Sequence, residues 1–288
     1  MTQRDQNLNR RKPPVPPRSS RPGPTPVPPV QLPPAGPFAP PNDVPFAEEK
    51  SYRRSLELAQ QDDVERQKGI RSLKIITGDP AQPYVALTFD DGPHGDRTLE
   101  LLALLRRLSV PATFFVVGME AQQQPQIIER MVLEGHELGN HTYHHYRLPK
   151  IPLADVAPEL NSTRDILRSI VGQRTRLVRP PGGEYNAAIQ RVIEQNGYAN
   201  ILWSDDPADY AQGRTANQIE AFIMRDITPG GIILLHDGVI ATLAALPRFV
   251  QRIRAKGLQF VTVSELIQRG GGLLKVREHR VSRTSARP

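Results

Sequence analysis

Tyr84-Val85-Ala86-Leu87-Thr88-Phe89-Asp90, followed directly by Asp91-Gly92-Pro93, is the stretch on which the architecture turns. The first seven residues read as a strand, and Gly92-Pro93 ends it. Downstream, strand-like runs recur at Thr113–Val117, near His136–Asn140, and at Thr175–Val178, Tyr198–Trp203, Gly231–His236 and Leu258–Val263. Helical stretches separate them. Leu101, Leu102, Leu105 and Leu108 share one apolar face, and Ile127, Ile128, Met131 and Val132 share another. Asn186–Asn196 closes on Gly197, a residue suited to ending a helix. Seven strands alternating with helices predict an α/β domain over residues 80–270, built on a parallel sheet that is closed or nearly closed. Such a unit buries roughly 70% of its unfolded surface, sufficient for independent stability.

Outside this unit the composition changes. Fifteen of the 29 prolines lie between Pro13 and Pro45, so residues 1–46 are expected to form an extended, solvated, polyproline-like tail. Within it Pro13-Pro14-Val15-Pro16-Pro17-Arg18 fits a PxxPxR recognition pattern, although a plain spacer accounts for it more simply. Residues 47–79 read as a linker helix or strap, with a thin apolar stripe at Tyr52, Leu56 and Ala59. Residues 271–288 form a basic tail.

The net charge of +7 raises the question of nucleic acid, and its location answers it. Residues 1–46 carry six Arg/Lys against two Asp, and residues 271–288 carry five against one Glu. The body between them is close to neutral. The basicity therefore belongs to the tails, which suit solubility or weak contact with anionic surfaces, and no nucleic-acid groove is implied. No apolar run approaches the roughly 18 residues of a membrane-spanning helix, and no signal-peptide h-region is visible near the start. With no Cys, any metal must sit on His, Asp or Glu.

In a parallel α/β architecture, chemistry collects where strands end. Asp90 and Asp91 close the first strand, and His141 and His145 follow the third. Arg179 follows the fourth, Asp206 and Asp209 the fifth, and His236 and Asp237 close the sixth. Within a regular strand, adjacent carboxylates face opposite ways; the Gly92-Pro93 turn lets both acids serve one site. If the loop at His141 enters a helical turn, His141 and His145 at i and i+4 share a face, while His144 points elsewhere. Two imidazoles and a carboxylate with open positions suit a catalytic divalent metal. The same ligand types also serve Fe(II) oxygen chemistry, but Asp90 and His236 fit hydrolysis better.

Taken together and in this order, five clusters resemble the polysaccharide deacetylases, the NodB-homology domains of carbohydrate esterase family 4. They are TFDDGP at 88–93, His141-xxx-His145, Arg179-Pro180-Pro181-x-Gly183, Asp206-xx-Asp209 after Trp203, and Leu234-Leu235-His236. The resemblance covers roughly 80–268 and reaches neither tail. It implies a distorted (β/α)₇ barrel that removes acetyl groups from N-acetylated sugars through a metal-activated water. By motif position Asp91, His141 and His145 would hold the metal, zinc first, with cobalt, nickel or manganese as alternatives. Asp90 would be the general base, oriented by Arg179, and His236 the general acid, tuned by Asp209. A backbone N–H of Gly182 or Gly183 would meet the oxyanion. Trp203, Tyr210 and Leu234 would line the substrate site. Gly182 stands where many relatives carry an aromatic, and Tyr210 where Trp is commoner, which bears on the substrate more than on the reaction. The expected partner is an acetylated glycan of peptidoglycan, chitin or xylan type, handled by a monomer. The rival expectations are a small-molecule amidase or O-acetyl esterase, a silent glycan-binding protein, and an adaptor working through the tails.

Overall fold

The computed structural model describes residues 73–172 and 174–270. The Pro-rich tail with its PxxPxR pattern, the polar helix at 47–70 and the basic tail lie outside the described residues.

Eight parallel strands follow one another through this region: β1 (Lys74–Ile75), β2 (Tyr84–Asp90), β3 (Thr113–Val116), β4 (Glu137–Asn140), β5 (Leu177–Val178), β6 (Ala199–Ile201), β7 (Ile232–His236) and β8 (Gln259–Val261). From Val85 to Asp90 every residue of β2 is buried, as expected of a parallel strand covered on both faces. Neighbouring ladders run β2-β3-β4-β5-β6, and β7 returns to β2 with Asp90 opposite His236. Asp205, just past β6, bridges to Ile233 of β7 and closes the ring. At Ala86 the partners of β2 are β7 and β8, and at Thr88 they are β7 and β3. β8 therefore fills the lower half of the edge that β3 occupies above, which distorts the barrel.

The helices pack outside: α1 (Asp96–Leu108), α2 (Gly118–Gln123), α3 (Pro125–Leu133), α4 (Leu153–Val171), α5 (Ala187–Gln195), α6 (Ala216–Asp226), α7 (Ile240–Ala255) and α8 (Val263–Arg269). α1 turns Leu101, Leu102 and Leu105 inward, and α3 turns Ile127, Ile128 and Met131 inward, as their spacing predicts. α5 starts on Asn186, whose side chain accepts from the N–H groups of Ala188 and Ile189. The barrel also starts earlier than residue 80. Within the segment expected as a linker, β1 pairs with β6, and the Gly78 N–H donates to Gly230 O at 2.7 Å. Two residues of strand carry too little periodicity to be read locally. No helix among the described residues is long and apolar enough to cross a membrane.

Candidate metal and catalytic site

At the end of β2 the chain places two acids differently. Asp90 completes the strand and is buried, whereas Asp91 takes a left-handed backbone with φ 75°. That turn brings both carboxylates to one imidazole. His141 Nε2 lies 3.3 Å from Asp91 Oδ1 and 3.7 Å from Asp90 Oδ2. His145 Nε2 lies 3.1 Å from the same Asp91 oxygen. One ligand atom from each of Asp91, His141 and His145 falls within 4.8 Å of the others, a grouping able to hold a metal ion.

The two imidazoles come together by another route than helical spacing. Residues 141–145 form no helix, and Thr142 and His145 adopt φ 66° and 61°. A folded loop brings the rings to 4.9 Å between centroids. Left-handed backbone at Thr142 and at two of the three residues of the cluster, Asp91 and His145, is uncommon for residues other than glycine and persists only where its surroundings enforce it. Those surroundings are visible. Thr142 N–H donates to Asn140 Oδ1 at 2.8 Å, and the carbonyls of Thr142 and Tyr143 accept from the N–H groups of Gly118 and Met119. Glu159 of α4 accepts from the backbone N–H groups of Tyr143 and His144, at 3.0 and 2.9 Å, and from His144 Nδ1 at 2.6 Å. His144 thus points away from the cluster, and Glu159 fastens the loop that carries it.

His141, only 2% exposed, has Nδ1 2.7 Å from the carbonyl of Arg179. A carbonyl can only accept, so Nδ1 carries the proton and Nε2 keeps a lone pair for a metal. The charge balance also favours a cation. Burial pushes the Asp91 carboxyl up, but the facing imidazoles of His141 and His145 outweigh it and hold the group well below the usual carboxylate range. Burial lowers the proton affinity of His141, and Asp90 and Asp91 more than reverse this. The donor set, the fixed tautomer and this demand for positive charge all fit a divalent ion.

Arg179 is fully buried inside the barrel. Its Nη1 donates to Asp90 Oδ1 at 2.7 Å and to Thr88 Oγ1 at 2.8 Å. Nε and Nη2 donate to the carbonyls of Ile201 and Leu202, and the guanidinium lies 4.1 Å from the Phe115 ring centre. Across β2, His236 ends β7. Its Nδ1 lies 2.7 Å from Asp209 Oδ1, and its backbone N–H donates to Asp209 Oδ2 at 2.9 Å. Thr242 of α7 also donates to Asp209, at 2.6 Å. Burial lowers the pKa of His236, but Asp209, with Asp90 and Asp91, raises it to about 9.

The remaining expected residues fall around this group. Gly182 and Gly183 adopt φ 64° and 63°. The Gly183 N–H donates to Pro180 O at 2.8 Å, which leaves Gly182 as the backbone donor to consider. A Cβ on Gly183 would come 2.7 Å from Trp203 Cη2, so only glycine fits there. Trp203 and Leu234 are each 3% exposed. Tyr210 is 52% exposed, with its ring edge against His236 at 4.9 Å. Glu159 escaped the sequence reading because a lone acid within a helix carries no local signal.

The fold and the site together are a distorted parallel barrel with an Asp-His-His grouping able to hold a metal ion at its strand ends. Residues 77–201 match the family model described as polysaccharide deacetylase. The chain is 36% identical over 193 residues to the peptidoglycan-N-acetylmuramic acid deacetylase PdaC of Bacillus subtilis, covering 67% of this chain but 40% of that protein. It is 34% identical to a peptidoglycan-N-acetylglucosamine deacetylase of Bacillus cereus, covering 65% of this chain and 89% of that one. A crystal structure of the Bc1960 peptidoglycan N-acetylglucosamine deacetylase superposes with TM-score 0.66 at 31% identity, covering 68% of this chain and 94% of that one. The chain belongs to the polysaccharide deacetylase family, carbohydrate esterase family 4.

Proposed function

We propose that this protein is a metal-dependent hydrolase that removes N-acetyl groups from an acetylated polysaccharide. The observation that carries this is the meeting of Asp91, His141 and His145 beside the Asp90–Arg179 and His236–Asp209 pairs. Relatives named as peptidoglycan deacetylases support a peptidoglycan-type substrate first, with chitin and xylan types next.

Asp91, His141 and His145 would hold the ion, zinc before cobalt, nickel or manganese on ligand type. When bound, a divalent ion supplies Lewis acidity toward an amide carbonyl and makes a neighbouring water more acidic. The residues do the rest. Arg179 engages Asp90 through Oδ1, which leaves Oδ2 to take a proton from water as the water oxygen attacks the acetyl carbon. Gly182 N–H would meet the developing oxyanion, an interaction typically worth about 2.7–4 kcal/mol. His236, kept protonated by Asp209, gives its proton to the sugar nitrogen as the C–N bond breaks. The products are acetate and a free amine.

The test is acetate release from a panel of acetylated glycans, including N-acetylglucosamine oligomers, with and without chelator. Release that chelator stops and added zinc restores supports the reading. Release unaffected by metal removal, or none from any glycan, overturns it.

A further inference from the structure

Asp237 follows His236 directly, is 4% exposed, and has no part in the reaction steps. Strands β2 and β7 pair with Asp90 opposite His236, so Asp91 and Asp237 leave the sheet side by side. The Asp237 N–H donates to Asp90 O at 2.9 Å. Its carboxylate lies against the turn that follows Asp91: a Cβ on Gly92 would collide with Asp237 Oδ2 and stand 2.9 Å from Cγ. Gly92 is not in the left-handed region; the close approach of the carboxylate is what requires glycine there. The same Oδ2 accepts from Thr98 Oγ1 of α1 at 2.7 Å, and Thr98 Oγ1 accepts in turn from the His94 N–H at 2.6 Å. Carboxylate, hydroxyl and amide thus form a chain across Gly92-Pro93-His94. From other directions the Val117 N–H donates to Gly92 O, and the Gln124 side chain bonds Pro93 O and the Gly95 N–H.

What this chain holds is the turn next to Asp91. Asp91 keeps φ 75°, a backbone that a residue other than glycine retains only under constraint from its neighbours. That backbone sets its Oδ1 3.3 Å from His141 Nε2 and 3.1 Å from His145 Nε2. Glu159 steadies the loop of His145; nothing on that loop steadies Asp91. Resting on the metal site of the proposed function, we propose that Asp237, acting through Thr98 and the Gly92 turn, is a positioning residue that presents Asp91 to the metal. A single residue beside His236 then ties the ligand turn to the strand that carries the acid.

The experiment measures the zinc dissociation constant of the full-length protein by competition with a chelating dye, and acetate release across a zinc titration. Thr98→Val keeps the side-chain shape but removes the hydroxyl, and should weaken zinc binding by roughly 10–100-fold. Asp237→Ala should do the same. Thr98→Ser and Asp237→Asn, which keep the donor and the acceptor, should bind zinc like wild type. In Thr98→Val the acetate-release curve should move to higher zinc and reach a plateau near that of wild type, which a general loss of packing does not produce. Wild-type zinc affinity in Thr98→Val, or affinity in Thr98→Ser as weak as in Thr98→Val, would overturn the positioning role. Should Asp237→Ala fail to fold, the Thr98 pair decides the matter. No zinc binding by wild type would overturn the metal reading and this role with it. Zinc bound by wild type without acetate from any oligomer would overturn the deacetylase reading, while the affinity ranking still decides the positioning.

Discussion

Arg179 Nη1 stands 2.7 Å from Asp90 Oδ1, and the guanidinium is wholly shut off from solvent. Its other hydrogens go to Thr88 and to the carbonyls of Ile201 and Leu202, so the strands hold the cation and the cation holds the acid. Arg179→Met should therefore destabilise the protein as well as inactivate it, because Asp90 and two carbonyls lose their partner in the interior. The expected loss is about 3–5 kcal/mol, read by urea denaturation. A midpoint equal to that of wild type would argue that Arg179 carries no structural role.

Asp90→Asn separates base from ligand. It keeps the size and a hydrogen-bonding side chain but cannot take a proton from water. Metal content should be retained while turnover falls by roughly 10²–10⁴-fold. Substantial remaining deacetylation would remove Asp90 from the base role.

Removing a ligand should act on the metal itself. Asp91→Ala and His145→Ala are each expected to purify with little bound metal, measured by elemental analysis. Wild-type content in both would refute the ligand assignment. Glu159→Ala touches no ligand, yet it cuts three hydrogen bonds to the loop that carries His145. Metal affinity should weaken by about tenfold or more, as for other supporting contacts of metal ligands. An unchanged dissociation constant would show that the loop holds its shape without Glu159.

In the proposed mechanism His236 and Asp209 would set the alkaline side of the pH profile. The pKa of His236 is raised to about 9, so the protonated acid is present below that pH and is lost as pH climbs through it. Asp209→Asn removes the nearest negative charge, lowers the pKa and moves the alkaline fall in kcat/KM to lower pH. His236→Ala should cost most with a poor amine leaving group and less with an activated acetyl ester. A limb that stays in place in Asp209→Asn, or equal losses on both substrates, would count against this assignment.

Histidine placement shows how far local pattern reaches. Five of the seven histidines lie between positions 94 and 145, far from an even scatter along the chain. Only His141 and His145 join the cluster. His136 is buried and accepts the Ala112 N–H on Nδ1, His144 braces against Glu159, and His94 is exposed. Density marked the region, but the contacts made by each ring sorted the roles. The spacing argument was similarly partial: His141 and His145 do meet, but through left-handed backbone that an i,i+4 count does not contain. Trp203 packs against Gly183 and is almost fully buried, whereas Tyr210 presents an exposed ring beside His236.

Periodicity and strand-end chemistry, read from the sequence by itself, determined the alternating parallel architecture, the Asp90-Asp91 and His141/His145 motifs and the fact that chemistry gathers at one rim. These are properties of residues near one another along the chain, and their order records them. Ring closure through Asp205 and Ile233, the half-edge filled by β8, the early strand at Lys74–Ile75 and the Glu159 clasp were decided only in the tertiary structure. Each joins residues far apart in sequence, or rests on a backbone turn imposed by packing, and such contacts exist only after the barrel has closed.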